Sequence, residues 1–193
     1  MDLTQLRCFV ALVDALHFGQ AARQLVTCSL DLAFIRPPEH QSRQLRFLKL
    51  YDETAMVAVP SQHSLSRRTR LAVHDIAHEP LILPNRRSSP HSHDFTIKLF
   101  GQAGLRPVIA QAAEEKQTII NLVAAGLGIA IVPHWSSRMN VAGVRYVKLE
   151  LTDAEHLNIL PLAAVWVRDA RDTARDAALD VLRANLANYV QSA

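Results

Sequence analysis

Residues 117–133 read QTIINLVAAGLGIAIVP, and this stretch decides the fold. Ile119, Ile120, Leu122 and Val123 recur on the inward side of a helix that Gln117 or Thr118 opens. Ala124 and Ala125 let that helix lie close to a sheet. Gly126 and Gly128 end it and turn the chain tightly into a strand, Ile129–Val132, stopped by Pro133. A helix feeding at once into a short, wholly apolar strand predicts a βαβ element. The first N–H groups of a helix are unpaired and carry partial positive charge, so Gln117 and Thr118 at its mouth are candidate contacts for an anion.

The same alternation extends outward. Further strands are expected at Leu30–Ile35, Leu45–Tyr51, Thr54–Val59, Pro80–Leu83, Pro107–Ala112, Val144–Leu149 and Leu162–Val167. Helical stretches are expected at Val73–His78, Phe95–Ala103, His134–Met139 and Asp172–Val190. This order predicts an α/β architecture with substantially parallel strands. Pro84–Asp94 reads as the most irregular loop. Pro60 and Pro161 divide the region into a self-contained lobe over residues 60–160 and a second lobe from residues 30–59 and 161–193. Two short crossings between lobes make a hinge, and a cleft between lobes is where a small ligand binds.

Upstream of Leu30 the pattern changes. Asp2 can cap a helix, with Gln5 completing a capping-box-like pair. Leu3, Leu6, Phe9, Val10, Val13 and Leu16 follow at helical intervals. His17-Phe18-Gly19 interrupts that stripe, and residues 20–25 start a second short helix whose alanines permit close approach to the first. Residues 1–29 therefore read as the first two helices of a helix-turn-helix, or as a helical hairpin that only packs. In the first case a polar, basic helix must follow, since only a helix in the major groove reaches base edges. Leu30–Ile35 is instead a β-type run stopped by Pro37 and Pro38, and it cannot be that helix. The base-reading element is missing at a seam between residues 25 and 30.

Composition bounds the function classes. The 193 residues, 49% apolar and 20% charged, fit a globular chain with a real core. No apolar run reaches the ~20 residues of a membrane helix and no signal-peptide pattern opens the chain, so the cytoplasm is the expected compartment. Cys8 and Cys28 suggest no disulfide framework. A net charge of +3, with 21 basic against 18 acidic residues, carries no dense basic block for phosphate tracking.

Several stretches together resemble the LysR-type transcriptional regulators. They are residues 117–133, Leu30–Pro38, His78–Pro84, Phe100–Gly104, Leu162–Trp166 and the opening Leu6–Leu25. The resemblance covers nearly the whole chain, and it is specific because the motifs occur in order. It implies a two-lobed sensor like the periplasmic binding proteins, preceded by a partial helix-turn-helix. It also implies a small-molecule effector, often a carboxylate, DNA as a partner, and homo-oligomers or association with intact relatives. The chain departs from the family where the recognition helix, wing, linker helix and opening of the sensor should stand. On this reading residues 60–160 are a complete second lobe, and residues 30–59 with 161–193 are what remains of the first. Arg7, Gln20 and Arg23 would be residual contacts to the DNA backbone.

Arg36, at a strand end, can meet a carboxylate bidentately, although a strand-end arginine is commonly only solvated. Pro90, His91 and Ser92 correspond to a pocket-rim stretch in some family members. Pro133 and His134 follow a strand end of the kind where α/β sheets bind ligands. His91, His93 and Asp94 are the basis of an alternative reading as a metal-dependent hydrolase, which no HExxH or paired-cysteine spacing supports. No nucleophile-elbow motif is present, so no catalytic residue is assigned, no enzyme activity is expected, and no cofactor is called for. The second reading is a ligand-binding or oligomerising remnant without DNA binding of its own. A gel-shift titration across salt separates these readings. The expected outcome is no sequence-specific complex, and nanomolar binding to an operator would contradict it.

Overall fold

The computed structural model describes residues 22–23, 25–27, 30–37, 42–150, 160–169 and 172–191. In chain order these hold β1 (Ala33–Ile35), β2 (Leu45–Glu53), β3 (Ala55–Pro60), β4 (Arg70–Leu71) and β5 (Pro80–Pro84). There follow α1 (Pro90–Gln102), β6 (Val108–Ala113), α2 (Lys116–Ala124), β7 (Ala130–Pro133), β8 (Val144–Leu149), β9 (Leu160–Val167) and α3 (Thr173–Gln191). Short 3-10 turns lie at Ser64–Arg67, Val73–Ile76 and His134–Arg138. None of the described helices is long and apolar enough to cross a membrane.

The chain divides into two compact units, Met1–Asp52 with Pro161–Ala193, and Glu53–Leu160. The boundary expected at Pro60 falls at Glu53. The physical reason is β3, which was expected to end the first lobe. It is an interior strand of the second unit, bonded on one side to β7 and on the other to β8.

Within Glu53–Leu160 the strand order is β4-β8-β3-β7, and β5 pairs with β6. A parallel bridge between Leu81 and Ile129 joins the two groups. It rests on two backbone bonds, Ile82 N–H to the Ile129 carbonyl at 2.8 Å and Ile129 N–H to the Pro80 carbonyl at 2.8 Å. The expectation of substantially parallel strands holds for β5–β6, β4–β8 and this bridge. It fails at β3, which runs antiparallel to both neighbours.

Strand periodicity sorts the side chains to two faces. Ala55, Val57, Val59, Leu81, Leu83, Ile129, Ile131, Val147 and Leu149 face one way, where Phe95, Leu99 and Phe100 of α1 pack. Met56, Ala58, Ile82, Ala130, Val132 and Tyr146 face the other, where Ile119, Ile120 and Val123 of α2 pack. Helices on both faces of a mixed sheet make this unit doubly wound. Of the pattern quoted first, Ile119, Ile120, Val123 and Ile129–Val132 are buried in this arrangement, while Leu127 is exposed.

In the other unit the sheet order is β1-β9-β2, with β1 antiparallel to β9. One face carries Ala33, Ile35, Leu45 and Val165 under Leu25 and Leu30. The opposite face carries Leu32, Ala164 and Trp166 under Leu179 and Leu182 of α3. Arg175 of α3 is buried to 7% exposure. It donates from Nε and Nη2 to Asp176 and stacks 5.8 Å from the Trp166 ring centroid. Residues 1–29 were expected to form a module of their own. Over the described part they do not, because Leu25 is 1% exposed within this unit's core. The first expected helix lies outside the described residues.

Gly128 is the most confined of the described glycines. Its φ is +153°, and a Cβ there would meet the Pro80 carbonyl oxygen at 2.4 Å, the same oxygen that accepts from Ile129. Gly128→Ala is expected to destabilise by about 3 kcal/mol from backbone strain and overpacking. A urea melt checks this, and an unchanged midpoint would contradict it.

Candidate functional site

β5, β6 and β7 run parallel, so their carboxyl ends share one edge of the sheet. The connections there are Asn85–Ser89 into α1, Glu114–Glu115 into α2, and the 3-10 turn His134–Arg138. In α/β sheets this edge is where ligands bind, because helix N-termini and loops converge on it. Most of the candidate residues read from the sequence fall on it. Pro90, His91 and Ser92 form the first turn of α1, Gln117 and Thr118 the first turn of α2, and Pro133 and His134 the end of β7 and the start of its turn. Arg36 follows β1 in the other unit and is half-buried.

The local environments differ. Gln117 and Thr118 are exposed, and Gln117 Nε2 donates to Asn121 Oδ1 at 3.2 Å one turn on. Pro133 is buried, while His134 is half-buried and its backbone N–H donates to the Thr54 carbonyl at 2.9 Å. Pro90 is exposed and stands at the first helical position, where its missing N–H costs nothing. The stretch read as an irregular loop up to Asp94 is therefore helical from Pro90. Arg7 and Gln20 lie outside the described residues, and Arg23 is exposed.

Several residues of this edge were not read as functional in the sequence. Lys116 Nζ lies 5.6 Å from the centroid of the Trp135 ring, a cation over an aromatic face that ties the start of α2 to the turn after β7. Glu53, 4% exposed, accepts from the Trp135 backbone N–H at 2.8 Å. Ser88 Oγ donates to the carbonyls of Asn85 and Glu114, both at 3.2 Å, linking the loops after β5 and β6. Ser136 is fully buried, and its Oγ has no hydrogen-bond partner among the described residues. A polar aromatic next to Pro133-His134 was the available signal. The separation of 19 positions from Lys116 to Trp135 hid the pairing.

The hydrolase alternative needs His91, His93 and Asp94 on one centre. On a helix, residues two apart point to opposite sides. Asp94 is moreover engaged, with Arg86 Nε at 2.9 Å, Arg86 Nη2 at 3.3 Å and His93 Nδ1 at 3.2 Å. Among the described residues no group of three His, Cys, Asp or Glu side chains is placed to hold a metal ion.

A doubly wound α/β unit, joined by one crossing in and one out to a second α/β unit, is the architecture of periplasmic-binding-protein-like sensors. The LysR substrate binding domain family model matches residues 13–187. The regulator TtuA of Agrobacterium vitis is 48% identical over 170 residues, 88% of this chain and 56% of that protein. AlsR of Bacillus subtilis is 31% identical over 132 residues, 66% of this chain and 42% of that protein. Among solved structures, the BenM effector binding domain with its effector benzoate superposes with a TM-score of 0.76 at 23% identity, covering 89% of this chain and 76% of that one. Full-length CbnR with its target DNA gives 0.76 at 19% identity, covering 87% and 57%. The chain belongs to the LysR-type transcriptional regulator family and carries its substrate-binding domain. It spans about half the length of the curated relatives it matches. Those relatives are transcription regulators rather than enzymes.

Asp94 gives the site a pH signature. Partial burial pushes its carboxyl up, but the hydrogen bonds and charges of Arg86 and His93 outweigh this and hold it below the usual carboxylate range. A depressed native pKa contributes stability above the unfolded value near 3.9, and that stability is lost as pH falls through the native one. The pair is largely exposed, which limits it to about 0.5 kcal/mol. Asp94→Asn is therefore expected to lose about that much at pH 7 and nothing at the acid end. Urea melts at both pH values test this, and a deficit that persists in acid would contradict it.

Proposed function

We propose that this chain is the effector-sensing part of a LysR-type regulator, that it takes a small carboxylate at the carboxyl edge of β5, β6 and β7, and that it reads no DNA sequence by itself. The observation that carries the sensing half is the convergence of Pro90, Lys116 and His134, each opening a helical turn at one sheet edge. Two such turns present the backbone N–H groups of a helix N-terminus, Lys116 supplies formal positive charge, and Trp135 supplies an apolar wall. This combination suits an anionic head on a compact, partly apolar body. BenM and QuiR have been solved with benzoate and shikimate respectively, both carboxylates.

The DNA-silent half rests on the sequence, in which a β-strand and two prolines occupy the place of a base-reading helix. Arg36, half-buried after β1 in the other unit, is proposed separately as an anion contact of that unit alone. The hydrolase reading has no observation in its favour and is set aside.

A thermal-shift screen of small carboxylates, benzoate and shikimate included, tests the sensing half. A binder present at about 100 times its Kd stabilises by about 2.7 kcal/mol, which is a rise of several degrees in Tm. Lys116→Ala and Thr118→Val are expected to weaken that binder about tenfold or more by titration calorimetry, while Arg87→Ala, on an exposed loop, leaves it unchanged. Carboxylate binding indifferent to Lys116 and Thr118 would contradict the proposed site.

A further inference from the structure

Residues 20–25 were read from the sequence as a helix of a helix-turn-helix, and the structure shows where the apolar side of residues 22–23 and 25–27 goes. Leu25, at 1% exposure, and Leu30, at 6%, cluster with Ala33, Ile35, Leu45 and Val165, and Ala22, Phe47 and Val167 pack against them. Arg23, Val26 and Thr27 face solvent, with Val26 50% exposed. The turn is properly helical, because the Thr27 N–H donates to the Arg23 carbonyl at 2.9 Å. Among the described residues the sheet it covers has three strands, and its opposite face is occupied by Leu179 and Leu182 of α3. A sheet with apolar side chains on both faces needs a layer on each. Among the described residues, Ala22, Leu25 and Leu30 are what this second layer consists of. The match to the LysR substrate binding domain points the same way, since it begins at residue 13 and runs straight through this helix.

We propose that residues 22–27 have been taken over as a core helix of the sensor, so that presenting this helix to DNA and keeping the first unit folded are mutually exclusive. The seam is then a working junction. A helix whose sequence belongs to a DNA-binding motif closes the sheet and is held there by Leu25. This inference deepens the DNA-silent half of the proposed function, but its evidence is burial, and its test reads burial rather than DNA binding.

The test is amide hydrogen exchange on the unmodified chain, with three variants melted beside it. The Thr27 amide is expected to be protected together with those of β1 and β9 and to lose protection at the same denaturant concentration. Thr27 exchanging within about tenfold of an unstructured peptide while β9 stays protected would overturn the proposal. Leu25→Ala is expected to lower Tm by about 5–15 °C, Leu25→Met by only a few degrees, and Val26→Ala by about 2 °C or less. If Leu25→Ala and Val26→Ala both melt with the unmodified chain, the proposal fails. If Leu25→Ala does not fold at all while Leu25→Met does, the proposal stands. Absence of a gel shift with DNA would leave these outcomes untouched, so the inference and the proposed function can fail separately.

Discussion

Two backbone hydrogen bonds across one bridge hold the larger unit together, those of Ile82 N–H to Ile129 and of Ile129 N–H to Pro80, each 2.8 Å long. On one side of the bridge lies the parallel pair β5–β6, and on the other the four strands built around β3. Without the bridge, α1 and α2 would each pack over two loosely related sheets. With it, Leu81, Leu83, Ile129 and Ile131 form one apolar surface under Phe95, Leu99 and Phe100. The bridge needs backbones closer than any side chain allows, and Gly128, with no Cβ to strike the Pro80 carbonyl, is what permits it. The shared edge at Pro84, Ala113 and Pro133 follows from that closeness.

The chemistry of that edge comes from fixed turns. The backbone N–H groups of His134 and Trp135 are tied to Thr54 and to the buried Glu53 carboxylate, where the chain enters the unit. Ser88 ties the loop after β5 to the loop after β6. Lys116, held over Trp135, brings positive charge to an edge that also carries Glu114 and Glu115 at its rim. Side chains carried on turns fixed in this way have little conformational freedom left to lose.

Much of this was legible in the sequence, because short apolar runs bounded by proline and glycine favour strands over helices. Val144–Leu149 falls where it was read, and Ile119–Val132 forms the expected helix and strand. Other features depend on what a sequence does not display. His91-Ser92-His93-Asp94 looks like a polar loop, yet Pro90 starts a helix whose buried side begins only at Phe95. β3 reads like any buried strand, and nothing local in it says that both neighbours run antiparallel. Arg175 was not singled out in the sequence, and its burial goes with the Trp166 ring that it stacks on. The helix of residues 20–25 was recognisable as a helix, but its partner was fixed by a sheet assembled from residues up to 140 positions away.

Strand order has a further consequence for how this chain is made. β9 lies between β1 and β2, yet it is synthesised last of the three, after the whole of Glu53–Leu160 has been translated. At ordinary translation rates the interval is on the order of ten seconds. During it, β1 and β2 have no central strand to pair with, whereas Glu53–Leu160 is contiguous and contains every strand its own sheet requires. The inserted unit can therefore complete its core as it leaves the ribosome, while the unit that surrounds it stays open until Leu160–Val167 arrives. The part of the chain next to the seam is thus also the part longest without a fold, and its apolar residues are the ones that a nascent chain must keep from other surfaces.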